Sequence, residues 1–125
     1  MGKKILVVDD ERDSLQAITQ RLEAMGYSVV GTSDARAVFE IADKEAPDLI
    51  ILDIVMPDMN GYEVCERLKS DIKTEGIPII LLTGERLEPK SILDRCLSLG
   101  VESFLLKPLK LEDLISKIKE ELEEE

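Results

Sequence analysis

Leu49-Ile50-Ile51-Leu52-Asp53 is an unbroken apolar run that ends on a carboxylate. A strand with one wet face alternates apolar and polar side chains; a short continuous apolar run belongs to a strand covered on both faces. Working outward, comparable runs appear at Ile5-Leu6-Val7-Val8, Ser28-Val29-Val30, Ile79-Ile80-Leu81-Leu82 and Phe104-Leu105-Leu106. Their starts lie roughly 20 to 30 residues apart, the size of a strand-helix unit.

Between the runs, apolar residues recur at helical spacing: Leu15, Ile18 and Leu22; Val38, Phe39 and Ala42; Val64, Cys65 and Leu68; Ile92, Leu93 and Cys96; and Leu111, Leu114, Ile115, Ile118 and Leu122. Each set forms one stripe of an amphipathic helix able to cover a sheet. Strict alternation of buried strands with such helices predicts an α/β domain, a doubly wound parallel sheet of five strands with five helices. Gly26 and Gly100 fall where the first and fourth helices should stop, and Ser33 or Asp34 could cap the second. The Glu120 to Glu125 run reads as a solvated helix end. No linker or low-complexity tract interrupts the pattern, so residues 1–125 are expected to form one domain.

Sixteen Lys and Arg face 27 Asp and Glu, a net charge of −11 at pH 7. That balance disfavours direct contact with nucleic acid or an anionic membrane and favours proteins and cations as partners. The apolar run after Met1-Gly2-Lys3-Lys4 is too short for a signal peptide and no stretch could span a bilayer, so a cytoplasmic location is expected. There is no histidine, which removes Ser-His-Asp and Cys-His chemistry and any internal phosphohistidine. Cys65 and Cys96 have no metal-ligand spacing and read as small buried hydrophobes.

In an open parallel sheet, ligands bind beyond the carboxyl ends of the strands. Here those ends carry Asp9-Asp10, Asp53, Thr83 and Lys107-Pro108; only the second, near Thr32, is unremarkable. Singly, each has an ordinary explanation: Asp10 as a helix cap, Thr83 as a turn residue, Lys107 as a solvated charge, Phe104 as core. Together they make a chemical set. Three converging carboxylates repel unless a cation neutralises them, and oxygen-only ligands select Mg²⁺, or Mn²⁺. Asp53 is then a candidate covalent nucleophile in phosphoryl transfer, with Lys107 and Thr83 compensating charge on the incoming group.

At this point the sequence resembles the receiver domain of two-component response regulators, and most nearly its chemotaxis-type (CheY-like) single-domain members. The resemblance rests on Val7-Val8-Asp9-Asp10-Glu11, on the block Asp53-Ile54-Val55-Met56-Pro57-Asp58-Met59-Asn60-Gly61-Tyr62-Glu63, on Leu82-Thr83-Gly84 and on Lys107-Pro108. It implies a flavodoxin-like fold with strand order 2-1-3-4-5. It also implies Asp53 as phosphoacceptor, and Mg²⁺ held by Asp9, Asp10, Asp53 and the backbone carbonyl of Val55. Thr83 and Lys107 would contact the phosphoryl group, Thr83 and Phe104 would form the switch, and Lys107-Pro108 would be a cis peptide. The implied donor is a phosphohistidine on a sensor histidine kinase or phosphotransfer protein. The implied output is a protein target or output domain read through the face of the fourth helix, fifth strand and fifth helix. Such a chain is a signalling switch rather than an enzyme, catalysing only its own phosphorylation and dephosphorylation.

Two departures stand out: Gly84 replaces the family's usual alanine, and the Glu85 to Pro89 segment is slightly long. Two rival readings fit parts of the pattern. A phosphatase of the haloacid dehalogenase type needs a second aspartate two residues after the nucleophile, where this chain has Val55. A receiver-like interaction module working without phosphorylation would tolerate decay of the site, yet every site residue is intact. Val55 also cannot orient an attacking water, so the aspartyl phosphate should outlast that of Val55→Asn, with Glu85 able to offset part of the difference. Timing phosphate loss in both proteins checks this, and a longer-lived phosphate in Val55→Asn contradicts it.

Overall fold

Five parallel strands, β1 (Lys4–Val8), β2 (Ser28–Thr32), β3 (Leu49–Asp53), β4 (Ile79–Thr83) and β5 (Ser103–Leu106), lie in the order β2-β1-β3-β4-β5. They are seen in a computed structural model that describes residues 2–54, 60–84, 89–101 and 103–123, the side chains of Pro89 and Ile92 excepted. The helices are α1 (Arg12–Ala24), α2 (Val38–Glu45), α3 (Gly61–Ser70), α4 (Pro89–Ser98) and α5 (Leu111–Glu121), with a 3₁₀ turn, Ala35–Ala37, leading into α2. The order is the one the family resemblance implies.

Alternation along the central strands divides the core in two. Leu6, Val8, Ile50, Leu52 and Leu81 pack with Val38 and Ala42 of α2, Val64, Cys65 and Leu68 of α3, and Cys96 of α4. Ile5, Val7, Leu49, Ile51, Ile80 and Leu82 pack with Ile18 and Leu22 of α1 and Leu114 and Ile118 of α5. β3 is buried along its whole length, and each such Leu or Ile stabilises the fold by about 1.5–3 kcal/mol relative to exposure. The edges are less covered: β2 alternates partly, and Leu106 of β5 is exposed. Of the α4 stripe, Cys96 is buried while Leu93 faces outward, as does Leu97 one position beyond Cys96.

Helix ends follow local chemistry. Gly26 and Gly100 take left-handed φ values of 96° and 78° after α1 and α4, the conformation glycine adopts without a Cβ penalty. Of the two candidate caps for the second helix, Asp34 caps the 3₁₀ turn before it, accepting from the Arg36 N–H at 2.9 Å, while α2 itself has Ala37 at its N-cap position and no side-chain cap. α2 ends on Ala46 at φ 45°, a left-handed alanine that no sequence rule marks. Both cysteines are free and buried. Burial pushes the Cys65 thiol up to about 11 and raises that of Cys96, which suits inert packing groups. Among the described residues, no helix is long and apolar enough to cross a membrane.

Candidate functional site

β1 is followed in space by β2 on one side and β3 on the other, so the chain's crossovers diverge at the carboxyl ends of β1 and β3. That divergence opens a crevice. Asp9 and Asp53 both fall there, on the side-chain parity of Ile5 and Val7 and of Leu49 and Ile51, which face α1 and α5. Backbone bonds continue the pairing to the sheet's very edge: Asp9 N–H to Thr32 O, Ile54 N–H to Leu82 O, and Lys107 N–H to Thr83 O. The strand ends are therefore fixed relative to one another. Asp53 and Thr83 are the last residues of their strands rather than the first beyond them.

Carboxylate oxygens of Asp9, Asp10 and Asp53 lie within 4.8 Å of one another. Asp9 and Asp53 are buried, whereas Asp10 reaches solvent. Their charge is compensated by Lys107, whose Nζ donates to Asp53 Oδ2 at 3.0 Å and Asp9 Oδ2 at 3.2 Å. It also approaches Glu11 Oε1 at 3.5 Å. Burial pulls the Lys107 pKa down most strongly, but the hydrogen bonds and charges of Asp53 and Asp9 together outweigh it, leaving the ammonium above its ordinary value. It stays charged at physiological pH. Asp9 Oδ1 accepts from the Glu11 N–H at 3.0 Å, so one buried carboxylate both faces the cluster and fixes the entry to α1.

Of the residues singled out in the sequence, Asp9, Asp10, Asp53 and Lys107 form one cluster. Thr83 is fully buried at the end of neighbouring β4. Phe104 is half-buried against the α2–α4 side of the core. Lys107-Pro108 is cis. Val55 and Glu85 lie outside the described residues, as does most of the Glu85 to Pro89 segment. In sequence Glu11 stands out only as part of a motif, and its contact with Lys107 spans 96 positions, a pairing that no local spacing signals.

The donor set suits a hard cation. All three side chains offer oxygen, two are buried, and Mg²⁺ typically takes one or two carboxylates with waters and a phosphate oxygen. The start of α3 is tied to the end of β3: Asn60 caps α3 by accepting from the Tyr62 N–H at 2.8 Å, and the Gly61 N–H donates to Ile54 O at 2.8 Å. Among the described residues, a Cβ at Gly84 would have only Lys107 Cβ nearby, at 3.9 Å, so the family's usual alanine would fit against them.

Residues 5–119 match the response regulator receiver domain family. The alkaline phosphatase synthesis transcriptional regulatory protein PhoP of Bacillus subtilis is 36% identical over 119 residues, covering 95% of this chain and 48% of that protein. A CheY-like receiver domain protein from Methanospirillum hungatei superposes with a TM-score of 0.88 at 32% identity, covering 98% of this chain and 95% of that one. The receiver domain of a signal transduction histidine kinase from Syntrophus aciditrophicus does so at 0.86 and 34%, covering 98% and 91%. This chain thus spans about half the length of the curated relatives it matches. The three relatives come from a transcriptional regulator, a CheY-like protein and a histidine kinase, at near-equal identity, so likeness is to the receiver and not to one output. With an acidic cluster and its lysine at the strand ends of a 2-1-3-4-5 sheet, and a family match across nearly its whole length, the chain belongs to the response regulator receiver domain family of two-component signalling.

Proposed function

We propose that Asp53 accepts a phosphoryl group from a phosphohistidine on a sensor histidine kinase or phosphotransfer protein, in a Mg²⁺-dependent reaction. The observation that carries this is the Asp53 carboxylate, buried at the end of a central strand yet held by a lysine ammonium at 3.0 Å within a cluster able to take a cation. Asp53 needs no general base, because an ionised carboxylate is already a nucleophile. Lys107 supplies a positive charge to the incoming phosphoryl oxygens and Thr83 a hydroxyl donor. Asp9 and Asp10, with Asp53 and the Val55 carbonyl, would hold Mg²⁺, which when bound neutralises phosphoryl charge. The chain catalyses its own phosphorylation and dephosphorylation and no other turnover.

The phosphorylated state would be read through Thr83 and Phe104 on the face of α4, β5 and α5. Exposed Leu93, Leu97 and Leu106 support that face as a docking surface, since exposed apolar groups gathered on one side mark protein interaction sites. Phosphorylation then favours an accessible conformation by contacts that the unphosphorylated state lacks. Residues 1–125 would act as a single receiver domain in the cytoplasm, alone or within a longer regulator. Incubation with Mg²⁺ and phosphoramidate should add one phosphoryl group by intact mass, and Asp53→Asn should abolish it. A wild-type chain that gains no mass would leave instead the reading of a receiver-like module working without phosphorylation.

A further inference from the structure

Among the described residues, Glu11 is the one carboxylate that touches the site's lysine without belonging to the candidate metal cluster. Its side chain is mostly exposed and its Oε1 lies 3.5 Å from Lys107 Nζ, while Asp53 Oδ2 lies 3.0 Å from the same ammonium. The Glu11 charge therefore stands within about 7 Å of the accepting carboxylate, inside the roughly 8 Å Debye length at physiological salt. Glu11 also lines an open groove of 530 Å³ with Ser14, Gly84, Lys107 and Pro108. Phosphoryl transfer is in line, so the leaving group points away from Asp53 toward solvent. Glu11, beside Lys107 on the wall of that groove, puts a negative charge near the exit.

We infer that Glu11 is a specificity-determining residue that biases Asp53 toward donors whose leaving group departs as a neutral nitrogen base and against acyl phosphates, whose leaving group departs as a carboxylate. The inference rests on the proposed acceptor role of Asp53. With phosphoramidate, the Asp53 O–P bond forms as the P–N bond breaks, and the nitrogen, already protonated, leaves with the bonding pair as ammonia. With acetyl phosphate the P–O bond breaks and acetate carries the pair and its negative charge past Glu11. Acetyl phosphate is also the more negative donor near neutral pH. One extra unit charge at this distance from Glu11 in a largely aqueous mouth corresponds to a rate penalty of about 3-fold. Specificity of this kind is a difference between two donors, achieved by repelling one of them.

The test compares wild type, Glu11→Gln and Glu11→Asp at saturating Mg²⁺, timing Asp53 phosphorylation by phosphoramidate and by acetyl phosphate. The ratio of the two rates cancels any common change in folding or metal occupancy. Glu11→Gln should shift the ratio about 3-fold toward acetyl phosphate at low salt, with the shift shrinking as ionic strength rises. Glu11→Asp, which keeps the charge, should hold the ratio near the wild-type value. An unchanged ratio in Glu11→Gln, or a shift indifferent to salt, overturns the inference while leaving the acceptor role intact. If neither donor phosphorylates the wild type, the acceptor role falls and the inference with it.

Discussion

Lys107→Met is expected to destabilise the fold by about 3 kcal/mol in buffer free of divalent cations, because removing one partner of a buried ion pair strands the other charge. Asp9 and Asp53 are almost wholly buried and share this ammonium, at 3.2 and 3.0 Å. Methionine keeps most of the stem and its packing but leaves two neighbouring carboxylates without the cation that separates them. The Lys107 side chain keeps 17% of its exposure, so water relieves part of the penalty and the lower end of the usual range applies. Urea unfolding with and without millimolar Mg²⁺ measures it. A cation bound by the cluster should restore part of the lost stability, since a ligand that binds only the folded state stabilises it. Phosphorylation by phosphoramidate should slow by about 100-fold, the usual effect of removing one preorganised stabiliser of developing charge. A variant as stable as wild type without divalent cations would show that the carboxylates are neutralised by something other than Lys107.

The same lysine fixes a pH dependence. Its folded-state pKa is raised above the ordinary 10.5, the pull of Asp53 and Asp9 overcoming burial. The native state therefore holds the proton more tightly than the unfolded chain. The stabilisation is fully present below 10.5 and is lost as pH rises through the higher folded value. Lys107→Met should lack this alkaline loss, so the stability difference between the two proteins should narrow above pH 10.5.

Much of this was legible because the buried parallel strands announce themselves: uninterrupted runs such as Ile50-Ile51-Leu52 cannot be wet on either face. Once their order is known, the chemistry at Asp9, Asp53 and Lys107 follows from alternation alone. Less legible were features set by tertiary context. Whether Leu93 is covered depends on how wide a strip of α4 the sheet can reach, and the stripe in sequence is wider than that strip. Ala46 sits in the left-handed region while its N–H closes the last turn of α2 on Ala42 O, against alanine's own preference. Glu11 meets Lys107 only because β1 and β5 end at the same edge.

Gly61→Ala is expected to be costly for a reason the motif around it does not state. Gly61 does not need a left-handed backbone; among the described glycines only Gly26 and Gly100 have one. Space is what excludes a side chain. A Cβ would lie 2.4 Å from Ile54 Cα, 2.7 Å from Ile54 O and 2.9 Å from Asp53 O, all backbone atoms of the segment that presents the acceptor. These atoms cannot swing aside as a flexible side chain would, so either α3 or the end of β3 must move. Such overpacking costs about 3 kcal/mol, at the upper end of the usual range, and the denaturant midpoint should fall with an unchanged slope. Gly84→Ala is the control: among the described residues its added methyl would meet only Lys107 Cβ, at 3.9 Å, and stability should stay within about 0.5 kcal/mol of wild type. If Gly61→Ala proves as stable as Gly84→Ala, the contact of α3 with the Asp53 carbonyl is looser than these distances require. If stability falls and the Asp53 phosphorylation rate falls with it under folding conditions, the displaced element is β3, because a shift confined to α3 would leave the carboxylate where Lys107 holds it.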